Sequence, residues 1–80
     1  MDDEKETTIA RMKNGQHGVV VRIEGGRGLT NRLNALGIRP GKKITRVGAM
    51  MMRGPVTVKV GGCQVAMGFG MASKVIVELT

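Results

Sequence analysis

Few residues of this chain carry side chains that could act as nucleophiles, metal ligands or acid–base catalysts. The 80 residues include one histidine, His17, one cysteine, Cys63, and one serine, Ser73. A metal cage or a catalytic triad needs several such groups brought together, and none of these has a partner at a suitable spacing. The pattern favours a surface histidine and a small buried cysteine. We therefore predict no catalytic residue and no metal site within one chain, and we do not expect an enzyme.

A glycine-rich stretch before two lysines superficially resembles a phosphate-binding loop. That motif has four residues between its two glycines and a serine or threonine directly after its lysine. Here only three residues separate Gly37 from Gly41, and Lys42 is followed by Lys43. The stretch is better explained as the end of a helix followed by a turn.

Three consecutive methionines, Met50, Met51 and Met52, precede Arg53. Thioethers can bind a soft metal, but successive side chains of a strand point to opposite faces, so this run does not converge on one point. Exposed apolar clusters often mark contact surfaces. We predict that Met50, Met51, Met52 and Arg53 contact a partner or a second copy of the chain. Packing across the mouth of the chain's own barrel is the alternative.

A helix and its end are the best-specified structural elements. Leu29, Leu33 and Leu36 recur at the spacing that places them on one helical stripe. Gly37 supplies the left-handed residue that ends such a helix. Leu33 and Ile38 then occupy the two hydrophobic positions of a Schellman motif.

A turn is predicted directly after the helix. Pro40 prevents the helix from resuming, and Pro40 and Gly41 suit the two central positions of a type II turn. A strand should begin at about Lys42. Together with Leu33, Gly37 and Ile38, these two turn residues form the predicted structural centre of the domain.

Alternating apolar and polar residues predict several short strands, at 19–23, 42–50, 56–60, 63–67 and 74–79. In the first strand, Val19, Val21 and Ile23 should share one face. A bulge is expected near Arg46, where the alternation fails. Short helical turns are predicted near residues 9–12 and 68–72.

Two glycines between the predicted strands 56–60 and 63–67 indicate a tight hairpin. Gly61 and Gly62 suit a two-residue turn. The returning strand should then point Cys63, Val65 and Met67 towards the core.

The predicted elements indicate a mostly β fold. Five or six short strands, with one helix inserted after the first long strand, predict a small, partly open β-barrel. We expect residues 1–7 to form a disordered acidic tail and residues 8–80 to form the single domain.

The chain is strongly basic, with a formal net charge of +7. Four of its six acidic residues lie among the first six positions, so the folded part is more basic still. Such a domain could meet nucleic acid, an anionic membrane surface or an acidic protein. No apolar run approaches the roughly 20 residues of a membrane span, and no secretory signal is visible. We expect a cytoplasmic protein without membrane insertion.

Three motifs, in this order along the chain, resemble the FeoA family. They are Leu36-Gly37-Ile38-x-Pro40-Gly41, Gly54-Pro55-Val56-x-Val58 and Val65-Ala66-Met67-Gly68-x-x-Met71-Ala72-x-Lys74-Val75-x-Val77. The resemblance extends from about Ile9 to Leu79. A methionine run in the hairpin loop departs from the family pattern.

The resemblance implies an SH3-like barrel and a non-enzymatic accessory or regulatory role in bacterial ferrous iron uptake. The implied partner is the cytoplasmic GTP-binding region of a FeoB-type iron permease. The family is often described as binding transition metals. We expect no intrinsic cofactor, whereas transient or intermolecular metal binding and a homo-oligomer remain open.

The alternative function is binding of RNA or single-stranded DNA by a small basic barrel. Phe69 is the only aromatic residue. Barrels that bind single strands usually stack bases on several aromatic side chains, so this alternative is less favoured.

Overall fold

The computed structural model describes residues 5–47 and 55–80. Within these ranges the chain forms six strands, two α-helices and one 3₁₀ turn. In chain order they are β1 (Glu6–Thr8), the 3₁₀ turn (Ile9–Arg11), β2 (His17–Ile23), α1 (Arg27–Ala35), β3 (Lys43–Val47), β4 (Val56–Val60), β5 (Cys63–Met67), α2 (Phe69–Ala72) and β6 (Val75–Leu79).

The six strands form one antiparallel sheet in the order β1-β6-β2-β3-β4-β5. The last strand, β6, lies between β1 and β2, so the first and last strands of the described chain are neighbours in the sheet. The prediction of a mostly β fold with five or six short strands is confirmed. The predicted barrel is an open sheet with two helices rather than one.

The core consists of alternate residues from the strands together with one face of the helical segments. In β4, three valines are buried while Thr57 and Lys59 point outward, as the period of a strand requires. The buried apolar residues are Ile9, Met12, Val20, Leu33, Ile38, Ile44, Val56, Val58, Val60, Met67, Ala72, Val75 and Val77.

The end of α1 has the predicted Schellman geometry. Gly37 has a φ of +91°, and the Ile38 N–H donates to the Leu33 carbonyl oxygen at 2.9 Å. The side chains of Leu33 and Ile38 are both fully buried. Leu36, the third leucine of the predicted stripe, is 43% exposed because it is the C-cap residue, where the chain turns away from the core.

The turn after α1 also matches its prediction. Gly41 has a φ of +93°, and the Lys42 N–H donates to the Arg39 carbonyl oxygen at 3.1 Å, which closes the turn around Pro40. The chain then enters β3 at Lys43.

The position of the bulge was predicted wrongly. Arg46 pairs in register with Val58, and β3 and β4 show no irregularity. The register instead shifts in β2, between Val20 and Arg22. The bulge breaks the alternation of faces, so the predicted common face of Val19, Val21 and Ile23 is wrong. Val20 and Ile23 pair with the buried residues Val77 and Val75 and both face the core.

Two further expectations differ from the structure. Glu6 and Thr7, which were assigned to a disordered tail, pair with β6 as part of β1; residues 1–4 lie outside the described ranges. Cys63 is exposed rather than buried, because it begins β5 at the edge of the sheet beside the glycine turn. Of its predicted inward neighbours, Met67 is buried and Val65 is half-buried.

The short helical segments predicted from sequence are confirmed as the 3₁₀ turn and α2. α1 has nine residues. In the described part of the chain, neither helix has the length and apolar character of a membrane-spanning segment.

Candidate docking groove

The structure separates the residues that first suggested chemistry. His17 begins β2 and Cys63 begins β5, with β3 and β4 between them in the sheet. The Nδ1 atom of His17 lies 2.8 Å from Thr45 Oγ1. In the part of the chain that the structure describes, no three His, Cys, Asp or Glu side chains are grouped closely enough to hold a metal ion.

The predicted partner-binding residues, Met50, Met51, Met52 and Arg53, lie outside the described ranges. The five predicted structural residues, Leu33, Gly37, Ile38, Pro40 and Gly41, form the end of α1 and the turn after it and line neither of the two clefts described below.

Phe69, the first residue of α2, is 66% exposed. Burying an aromatic side chain of this size is worth a few kcal/mol, so an exposed phenylalanine commonly serves as a contact residue. It lines a groove of about 580 Å³ that runs between α2, the 3₁₀ turn and the outer face of β1, β6 and β2. We call this the Phe69 groove, lined by Glu6, Thr7, Thr8, Ala10, Arg11, Arg22, Phe69, Ser73 and Ile76.

Strand register builds the floor of the Phe69 groove. Ile76 on β6 pairs with Thr8 of β1 on one side and with Arg22 of β2 on the other. Residues directly opposite each other share a face of the sheet, so these three side chains form one row. The bulge in β2 is what places Arg22 in this row, because it shifts the pairing by one residue.

Charged groups lie at the β2 side of the groove. The Nε of Arg22 donates to Glu24 Oε2 at 3.0 Å, and its Nη1 lies 3.6 Å from Glu6 Oε1. The hydrogen bond to the Glu24 carboxylate raises the pKa of the Arg22 guanidinium above its ordinary value. Because all three side chains are exposed, we expect these pairs to orient Arg22 rather than to stabilise the fold.

Arg46 holds the 3₁₀ turn that forms one wall. Its Nη1 lies within hydrogen-bonding distance of three backbone carbonyl oxygens, those of Ile9, Ala10 and Met12, at 3.2, 3.2 and 2.6 Å. All three contacts are made by this one nitrogen, whose two N–H groups are shared among the three carbonyls, and no apolar residue at this position could donate to them. Its Nε is buried and has no hydrogen-bond partner among the described residues.

This role of Arg46 was not predicted from the sequence. The available signal was an arginine inside an otherwise β-branched strand, and it was interpreted as a bulge. Only the tertiary structure brings Arg46 beside residues more than 30 positions away in the chain.

The opposite wall is α2, and its packing explains why Phe69 points outward. Ala72 is fully buried and α2 contacts the 3₁₀ turn. The Ser73 hydroxyl donates to the Gly70 carbonyl oxygen at 2.7 Å and closes the end of the helix. A four-residue helix has one buried face only, so its first residue remains available to solvent.

The Phe69 groove has the composition of a binding surface. It combines an aromatic side chain and a half-buried isoleucine with the two arginines Arg11 and Arg22. Aromatic residues and arginine are enriched where proteins contact each other. The groove contains no cysteine or histidine, and its one serine hydroxyl is engaged with Gly70.

Comparison with known proteins supports the fold and the resemblance noted above. The sequence model of the FeoA domain matches residues 7–79. A protein of Methanocaldococcus jannaschii, provisionally named Fe(2+) transport protein A, is 34% identical over 70 residues, which covers 88% of this chain and 83% of that protein.

Two solved structures have closely similar folds. A crystal structure of an iron uptake regulatory protein, FeoA, superposes with a TM-score of 0.85 at 33% identity, and the match covers 94% of this chain and 97% of that one. FeoA of Stenotrophomonas maltophilia in complex with zinc, described as an SH3 domain protein, superposes with a TM-score of 0.78 at 22% identity, covering 90% and 89% of the two chains. The predicted SH3-like architecture is thereby confirmed.

Proposed function

The chain belongs to the FeoA family of ferrous iron transport accessory proteins, and from this premise we propose that it docks, without catalysing a reaction, on the cytoplasmic GTP-binding region of a FeoB-type permease. The family match over residues 7–79 supports the connection to iron transport. The docking step rests on the implied partner of the family and on the surface described above.

The exposure of Phe69 is the observation that carries the docking proposal. A phenylalanine that is 66% exposed at the rim of a groove loses contact with water when a partner covers it. Arg11 and Arg22 flank it and can pair with acidic side chains of the partner. We place the docking contact in the Phe69 groove, with Phe69 as the buried anchor and the arginines at the rim.

The net charge of +7 suits an acidic partner surface. Opposite charges on two proteins accelerate their encounter, and the effect weakens as salt rises. We therefore expect the association rate with the permease domain to fall steeply with ionic strength, while the dissociation rate depends mainly on Phe69.

The test is a titration of the purified cytoplasmic domain of the permease with this protein and with Phe69→Ala. We expect the substitution to weaken binding about 30-fold, the size typical of an interface anchor. Leu36→Ala is the matched control because Leu36 is the other large exposed apolar side chain in the described ranges and does not line the groove. Unchanged affinity of Phe69→Ala, with an unchanged thermal midpoint, would exclude the groove as the docking surface.

The methionine run provides a second variant. If residues Met51 and Met52 contact the partner, replacing both by serine should weaken binding while leaving the thermal midpoint unchanged. If they pack on their own barrel, the same change should lower stability by roughly 2 kcal/mol or more and leave affinity unchanged. Loss of affinity in this variant but not in Phe69→Ala would place the docking surface at the methionine run instead of the Phe69 groove.

A parallel titration with single-stranded RNA and DNA tests the alternative function. Phosphate-driven binding should fall steeply with added salt. Tighter binding of nucleic acid than of the permease domain at physiological salt would replace the docking proposal.

A further inference from the structure

A second cleft, of about 420 Å³, lies on the outer face of β2, β3 and β4, next to the turn between β4 and β5. We call it the cationic cleft. Its lining includes two lysines and a histidine and, within the described part of the chain, no acidic side chain. The lining residues are His17, Gly18, Lys43, Ile44, Thr45, Lys59, Gly61, Gly62 and Thr80.

Strand register aligns the polar side chains of the cationic cleft. Thr45 of β3 lies directly opposite His17 of β2 and directly opposite Lys59 of β4. Opposite residues share a face of the sheet, so these three side chains form one row. Lys43 precedes Thr45 by two residues and therefore points to the same face. In this antiparallel pair it is a diagonal neighbour of Lys59, at roughly 7–8 Å between backbones.

The two lysines of the cleft form no ion pair within the described residues. The ion pairs found in the described residues involve Arg22 with Glu6 and Glu24, and neither lysine. Thr80 lines the cleft but its α-carboxylate forms no ion pair with either lysine, and the nearest side-chain carboxylate in register is that of Glu78, which pairs with Val19, the residue opposite Lys43. Two strand spacings, about 10 Å, therefore separate Glu78 from Lys43 along the sheet.

Neutral donors complete the cationic cleft. Gly61 and Gly62 have φ values of +56° and +94°, and a Cβ added at either would meet nothing within 4 Å, so their backbone is open to an approaching ligand. The contact between His17 Nδ1 and Thr45 Oγ1 fixes the imidazole ring. Its Nε2 has no hydrogen-bond partner among the described residues.

We propose that the cationic cleft binds a polyphosphate-class oxyanion, either pyrophosphate or the phosphate chain of a nucleotide. Two ammonium groups at diagonal positions suit two linked phosphates better than one, and the hydroxyl, imidazole and turn amides can donate to the remaining oxygens. A volume of about 420 Å³ is within the range of small-molecule sites.

The cleft should recognise phosphate rather than a base. Phe69, the only Phe, Tyr or Trp residue, lines the other groove, and the one ring among the lining residues, the His17 imidazole, is held by its contact with Thr45. Pyrophosphate, ADP and GDP are therefore expected to bind with similar affinity. This inference does not depend on the proposed function, because none of the lining residues belongs to the Phe69 groove.

The test is a titration of ¹⁵N-labelled protein with pyrophosphate at constant ionic strength, followed through the backbone amide signals. Signals of Gly61, Gly62 and Lys59 should shift and saturate, and inorganic phosphate should bind about tenfold more weakly because it meets one ammonium group at a time. Shifts that are spread over all basic residues without saturation would contradict a site. A strong preference for one nucleotide over pyrophosphate would contradict the phosphate-only recognition.

Lys59→Gln should weaken pyrophosphate binding about fivefold or more while leaving the urea midpoint unchanged, because Lys59 is exposed. Lys74→Gln is the matched control: it removes the same charge from an exposed lysine that lies outside the cleft. Equal losses of pyrophosphate affinity in the two variants would show that general charge attraction, and not a specific site, causes the binding, which would contradict the proposal. Tighter binding of a glutamate-rich peptide than of pyrophosphate would make the cleft a protein contact and overturn the proposal.

Discussion

Gly37 shows how one residue decides where a helix ends. At a φ of +91° it lies in the left-handed region, which a residue with a Cβ enters only with strain. A Cβ at this position would meet only Val60 Cγ1 at 3.6 Å, an ordinary contact. The cost of a larger residue is therefore conformational rather than steric.

We predict that Gly37→Val lowers the free energy of unfolding by about 1–3 kcal/mol, because a β-branched residue is strained at positive φ. Urea denaturation measures the change. Gly28→Ala is the control: Gly28 is exposed within α1 and has open space around its Cα, so alanine there should stabilise by about 0.5–1 kcal/mol. An unchanged urea midpoint for Gly37→Val would contradict the argument.

Arg46 acts at the same scale, because its Nη1 contacts three carbonyl oxygens of the 3₁₀ turn region. We predict that Arg46→Met lowers stability by about 2–4 kcal/mol, since partly buried carbonyls lose a charged donor. Arg46→Lys should recover only part of this loss, because the lysine side chain is one atom shorter than the path from Cα to Nη1 and its ammonium group does not reach the same position.

Hydrogen exchange identifies the site of the Arg46 effect. Amides of the 3₁₀ turn and of Met12 should exchange faster in Arg46→Met than in the unmodified protein. Equal loss of protection throughout the sheet, with none specific to the turn, would mean that Arg46 supports the core rather than this wall of the groove.

At the scale of elements, the hairpin of β4 and β5 is determined by its two central residues. Gly61 and Gly62 both have positive φ, the sign pattern of a type I′ turn, whose twist matches that of the flanking strands. The register places Val60 opposite Cys63, which leaves a two-residue loop.

We predict that Gly61→Asn raises the free energy of unfolding by about 0.4–1 kcal/mol. Asparagine tolerates a φ of +56° and restricts the unfolded chain more than glycine does. Gly62→Val, at a φ of +94°, should instead lower stability by about 1–3 kcal/mol. Thermal and urea unfolding measure both variants, and similar midpoints for the two would rule out this turn geometry.

At the scale of the whole molecule, one strand connects the two candidate surfaces. β2 contributes Arg22 to the Phe69 groove near one end and His17 to the cationic cleft at the other. Both surfaces lie on the outer face of the sheet, while the inner face forms the core. The protein contact and the anion site that we propose therefore share no lining residue.

We predict that the monomer binds no Fe(II) at micromolar or tighter affinity. Hard oxygen and imidazole ligands are too few, and the described residues contain no group of three potential ligands. Calorimetry on protein shown to be monomeric tests this. One-to-one micromolar binding would contradict it, whereas binding that appears only with dimer formation would indicate ligands from two chains.

Local patterns were sufficient to predict much of this protein. The helix end at Gly37, the turn at Gly41 and the hairpin at Gly61 follow from residue types and spacing, because backbone conformation at such positions depends on the presence of a Cβ and not on distant neighbours. The alternation of apolar and polar residues predicted the strands, because successive side chains of a half-buried strand point in turn to the core and to solvent. The motifs were sufficient to indicate the family.

Only the tertiary structure decided which face of β2 is buried and what lines each surface. The bulge in β2 depends on its pairing with β6, a strand more than 50 residues away, and no local pattern records that pairing. The exposure of Cys63 follows from the position of β5 at the sheet edge. Arg46 and Phe69 acquire their roles from segments distant in the chain, because long-range contacts depend on strand order, which short-range periodicity does not encode.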